Sequence, residues 1–212
     1  MFKNIKEFYR GPGIIISTVM WEFFSVYGLR ALLIFYLTQK LGFSDEKSFQ
    51  IYASYITLIW LSPLIGSWIA ENYLGFRNSV YLGCILIILG HIVISLPEKS
   101  SLYAGFALLI AGIGFFKTNA ICLISTYYQK EPEKLSSSMI LYYVGANIGA
   151  TLGPIVCGYL QAYYGYQTAF AFAAFGMTFG LLILFLAFII GWLWACVYLV
   201  TVLCIVLIAV KS

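Results

Sequence analysis

Three charged residues stand inside long apolar runs, and they have chemistry to offer. Glu22 and Arg30 fall within "VMWEFFSVYGLRALLIFYL", Val19 to Leu37. Lys117 falls within "LLIAGIGFFKTNAICLISTYY". A guanidinium and an ammonium both bind carboxylates, and a carboxyl group exchanges protons. At bilayer depth each charge costs roughly 2.5–3.5 kcal/mol, so such residues face a water-filled path or pair with each other. The alternative is a buried ion pair that only fixes helix packing. At 1.5 Å per residue, Glu22 and Arg30 stand about 12 Å apart along a helix, too far to pair easily within it. Phe23, Tyr27 and Arg30 fall within about 60° of one another on the same helix, as a cavity wall would require.

Polar residues in later runs add to this set. Lys117 and Asn119 sit mid-run, too central for Lys117 to reach an interface by snorkelling. Tyr143 and Asn147 are four residues apart and roughly opposite a ridge of Gly145, Gly149 and Gly153. The ridge predicts close helix approach, and the opposite face offers polar groups to a cavity or to a neighbouring helix. Gly112 and Gly114 also predict close packing. His91 stands alone in its run, for which a structural hydrogen bond is the first reading and a proton relay the second.

Other chemistries lack their residues. The cysteines Cys84, Cys122, Cys157, Cys196 and Cys204 lie in apolar stretches, with no CxxC pair and no metal-ligand spacing. There is one histidine and no HExxH or Ser/His/Asp cluster, so no enzyme, metal or cofactor is expected. The net charge of +4 comes from short loops and points to topology, not to nucleic acid.

The elements that position these residues follow from composition. The chain is 62% hydrophobic and 9% charged, against about 25% charged in soluble domains. It is read as an all-α integral membrane protein lying in the lipid bilayer. Polar breaks divide it into spans near 14–38, 49–71, 79–97, 102–127, 136–161 and 167–189. The basic N-terminus leads into a full-length span, so no cleaved signal peptide is expected. With the N-terminus inside, inner segments hold Lys3, Lys6, Arg10, Arg77, Lys130 and Lys134, and outer loops hold Lys40, Lys47 and Lys99. This excess places the N-terminus in the cytoplasm. Residues 190–212 form an apolar tail, long enough for a seventh crossing but preceded by no evident loop.

The residues also resemble a known family. "MWEFFSVYGLRALLIFYL" resembles the first helix of the proton-coupled oligopeptide transporters, a branch of the major facilitator superfamily. "GSWIAENYLGFRNSVYLG" resembles the superfamily's loop between helices two and three, with Gly66, Glu71, Gly75 and Arg77 at its gating positions. "GIGFFKTN" is similar to the fourth-helix motif GxGxFKPN, and "MILYYVGANIGATLGPIVCGYL" to the fifth-helix signature FYxxINxGSL. The resemblance covers about residues 10 to 185 and implies the six-helix N-terminal bundle of a twelve-helix fold. That bundle would be residues 1–189, with the apolar C-terminal segment 190–212 as an addition.

The resemblance implies uptake of di- and tripeptides by proton symport, through a bacterial inner membrane. It implies Tyr27, Arg30, Trp60, Lys117, Tyr143 and Asn147 as substrate-binding residues and Glu22 as the proton-coupling one. Arginine and lysine would face the peptide carboxylate. Several positions depart from the family pattern. Where its first helix has ExxER, this chain has Val19, Met20, Trp21, Glu22 and Phe23. The second-helix tyrosine is Trp60, three before Pro63. The proline of KPN is Thr118, and the loop's acidic and basic pair is Glu71 and Asn72. The opposite cavity wall would come from a second six-helix half or a second copy of this chain. The competing reading is a non-transporting remnant or a membrane subunit without transport activity of its own.

Overall fold

The computed structural model describes residues 11–96 and 99–186. Six helices among the described residues are long and apolar enough to cross a membrane. Helix α1 is Pro12–Phe35 and α2 is Asp45–Ile69. Helix α3 is Phe76–Ser95, α4 is Lys99–Tyr127 and α5 is Pro132–Tyr164. Helix α6 is Tyr166–Leu186. Helices α1 and α2 each run on into a π-helical turn, Tyr36–Lys40 and Ala70–Leu74.

Local sequence sets the boundaries. Pro12 and Pro132 open their helices, where a missing N–H is no loss. Ser44 caps α2, its side chain accepting from the Lys47 backbone N–H. Asp45 and Glu46 fill the first turn, where the helix dipole favours negative charge. The span expected at 49–71 therefore starts earlier, because "DEKS" is a helix start and not a loop. The π turn after α2 ends at Gly75, whose φ of 76° few residues other than glycine adopt readily. Helix α5 has 33 residues, roughly 50 Å at 1.5 Å each, so it overruns the hydrocarbon or tilts.

Lipid gives helices no hydrophobic drive to associate, so small residues decide who packs on whom. Helix α5 lies along α1. A Cβ added at Gly149 would strike the Met20 carbonyl oxygen, and one at Gly153 would strike that of Phe24. The glycine ridge thus faces α1, while Tyr143 and Asn147 on the other face are exposed. Helix α4 lies between α2 and α3. Gly114 meets Ser62 and Gly66 of α2, whereas Gly112 meets Gly83 and Ile87 of α3. Two positions apart, these glycines point to opposite sides of α4 and serve one neighbour each. Helix α6 closes over α1, with Thr18 Oγ1 donating to the Gly180 carbonyl at 3.2 Å and Phe170 edge-on to Tyr36.

Two packed groups result, α1 with α5 and α4 with α2 and α3, and they touch each other sparsely. Gly149→Leu should separate the first group, since overpacking costs about 1–3 kcal/mol even where side chains yield, and here the neighbour is backbone. The expected result is aggregation or a clearly lower melting temperature in detergent. An unchanged melting profile would show that the ridge does not hold the pair.

Candidate functional site

The seam between the two groups holds the charges. Lys117, on α4, points its ammonium toward α1 and α2. Its Nζ lies 4.2 Å from the Trp60 ring centroid and 5.6 Å from that of Phe23. Phe23 stacks on Tyr27 one turn further along α1, with centroids 5.5 Å apart and planes 14° from parallel. The Arg30 guanidinium lies over the other partner of that stack, 4.9 Å from the Tyr27 centroid. A ladder results, running Arg30, Tyr27, Phe23, Lys117, Trp60. Among the described residues, neither cation has a carboxylate within 4.0 Å.

Glu22 turns the other way. It is 3% exposed, and its Oε2 has no hydrogen-bond partner among the described residues. It forms no ion pair with Lys117. Glu22 is thus buried within the bundle, while Arg30 on the same helix is half-buried.

The remaining expected residues fall into two places. Tyr143 and Asn147 line an open groove along α5 with Ile140, Ile148 and Thr151. The Asn147 amide donates to the Tyr143 carbonyl at 2.7 Å within its own helix. No hydrogen bond or ring contact links either residue to the ladder among the described residues. Glu71 and Gly75 belong to the α2–α3 connection and Arg77 to the first turn of α3, and all three are exposed. Gly66 does not belong to that connection. It is buried inside α2 against the Gly114 backbone, because the motif string runs across the helix end.

Three residues differ from or add to the sequence reading. Asn119 is a tie between helices, donating to the Phe115 carbonyl at 2.8 Å and the Gly66 carbonyl at 3.4 Å. His91 is fully buried, yet neither ring nitrogen makes the expected hydrogen bond among the described residues. Tyr55 carried no sequence signal. It is buried against Phe106 at 4.6 Å, with its hydroxyl unpartnered among the described residues. Cys84 and Cys157 are buried free thiols and Cys122 is half-buried, as apolar packing predicts; Cys196 and Cys204 lie outside the described residues, with the whole 190–212 tail.

Comparison with known proteins places this architecture. The model of the POT family matches residues 77–194, more than half of the chain. The chain belongs to the POT family. An uncharacterized transporter, YclF, of Bacillus subtilis is 36% identical over 180 residues, 82% of this chain and 37% of that protein. Dipeptide and tripeptide permease A of Proteus mirabilis is 32% identical over 83% of this chain and 36% of its own length. Among solved structures, a peptide transporter POT in complex with sulfate aligns with a TM-score of 0.79 and 31% identity, over 82% of this chain and 37% of that one. A POT family transporter in complex with 5-aminolevulinic acid aligns with a TM-score of 0.79 and 29% identity, over 91% and 46%. The chain therefore spans less than half the length of these POT proteins, 36% to 46%. It is an integral membrane protein built as the six-helix N-terminal bundle of a major facilitator superfamily fold, and it is not an enzyme.

Proposed function

We propose that residues 1–189 form one wall of a transport cavity that takes up di- and tripeptides together with protons. The observation that carries this is the pair of intramembrane cations, Arg30 and Lys117, held on aromatic faces with no carboxylate partner among the described residues. Intramembrane cations of this kind mark substrate pathways. A peptide's terminal carboxylate supplies the missing negative charge. Arg30 grips it through its planar fork and Lys117 as a point charge. Tyr27, Trp60, Tyr143 and Asn147 offer rings and an amide to the rest of the peptide.

Glu22 is the proton carrier. It lies on α1 next to Phe23, whose ring holds Lys117, so the charge state of Glu22 and the freedom of Lys117 to hold a ligand are coupled. The α2–α3 connection with Glu71 and Gly75, flanked by Gly66 in α2 and Arg77 at the start of α3, gates movement of the bundle. The opposite wall comes from a second six-helix half or a second copy, since alternating access needs two bodies around one site. The distribution of Lys and Arg supports an N-terminus in the cytoplasm, and the membrane proposed is a bacterial inner one.

Proteoliposomes test this reading. An inward proton gradient should drive accumulation of a labelled dipeptide at least about tenfold above gradient-free vesicles, since one charge is worth about 2.3 kcal/mol per 100 mV. Uptake indifferent to the gradient would contradict symport.

A further inference from the structure

We propose that Trp60 and Phe23 are positioning residues that hold the Lys117 ammonium by its contact with their ring faces, and so leave its full charge for a ligand carboxylate. This rests on the transport-cavity reading above and adds to it how the cation is held.

The geometry carries the argument. Both rings lie within the about 6 Å at which an ammonium is attracted to an aromatic face. They reach Lys117 from different helices, Trp60 from α2 and Phe23 from α1. Nothing acidic stands within 4.0 Å of the ammonium among the described residues, and the buried Glu22 carboxylate beside Phe23 makes no ion pair with it. An acidic partner would neutralise Lys117 and compete with an incoming carboxylate. An aromatic face fixes the position of the ammonium and subtracts no charge. Trp60 is 61% exposed, a poor packing residue but a suitable ring beside an open site.

Phe23 has a second task. It stacks on Tyr27, which in turn carries Arg30. The two cations therefore rest on one aromatic stack, Lys117 against Phe23 and Arg30 against Tyr27. A carboxylate that reaches Lys117 meets a charge whose position is set before the ligand arrives.

The test compares two ligands on the full chain in lipid, alanyl-alanine and its C-terminal amide, by calorimetry. Wild type should favour the acid. Trp60→Leu should reduce that preference about tenfold, weakening the acid by about that factor more than it weakens the amide. Trp60→Phe should restore most of the preference, and Trp60→Leu should add nothing in a Lys117→Met background. Phe23→Leu gives an independent reading if Trp60→Leu does not fold. Equal losses for both ligands, or an unchanged preference, would overturn the proposal. A wild type without preference would overturn the cavity reading and this inference with it, and that failure is visible before any substitution is made.

Discussion

Arg30→Ala should weaken binding of a dipeptide by at least about thirtyfold, and Lys117→Ala should do the same. Truncating one partner of a buried, hydrogen-bonded charge pair costs about 2–5 kcal/mol, and 1.4 kcal/mol is tenfold in affinity. The loss should fall on binding and spare the fold. Arg30 is half-buried and rests on the face of Tyr27. Lys117 touches the faces of Trp60 and Phe23, so its truncation removes weight without creating a clash. Each variant should therefore keep its melting profile in detergent while its dipeptide affinity collapses. Unchanged affinity in either variant would remove that residue from the site.

Glu22→Gln should separate transport from binding. Glutamine keeps the size and polarity of the side chain but cannot release a proton. Glu22 is the acidic residue buried within the bundle; Asp45, Glu46 and Glu133 are exposed in the first turns of α2 and α5, and Glu71 is exposed in the π turn after α2. Gradient-driven uptake should fall to near background in this variant, and exchange of labelled for unlabelled dipeptide without a gradient should continue. The family pattern surrounds this glutamate with a second glutamate and an arginine. Here those positions are Val19, fully buried, and Phe23, occupied with Lys117. Under the proposed reading coupling falls on Glu22 alone, which makes the expected loss large. Gradient-driven uptake that survives Glu22→Gln would require another proton carrier.

The six crossings were legible because polar breaks and apolar runs follow from the bilayer itself. So was the Gly145–Gly149–Gly153 ridge, since small residues at four-residue spacing have one main use where lipid is the solvent. Helix ends were less legible. "DEKS" reads as a loop by charge, yet Ser44 and the acidic pair after it make it the start of α2. Gly66 was drawn into the gating loop by a motif that crosses a helix boundary.

The site itself was half legible. Helical angles put Phe23, Tyr27 and Arg30 on one face of α1, and the stacking confirms that periodicity. Trp60 came from the family pattern and not from periodicity. That Lys117 would rest on Trp60 and Phe23 lay beyond sequence, because the three residues sit on three helices whose mutual rotation depends on glycines elsewhere. Tyr55 was hidden for the same reason, as one of 17 tyrosines with no distinguishing neighbour. Tyr143 and Asn147 were placed correctly on the face opposite the glycine ridge, but their separation from the ladder depends on how α5 sits against α1.

The central claim is that Arg30 and Lys117 wait for a carboxylate. Its most direct test is the calorimetric affinity of the full chain in lipid for alanyl-alanine and for the same dipeptide with an amide end, in wild type and in Arg30→Ala. The account predicts that wild type binds the acid at least about tenfold more tightly, and that Arg30→Ala erases the difference mainly by losing the acid. Equal affinity of wild type for the two ligands would contradict it.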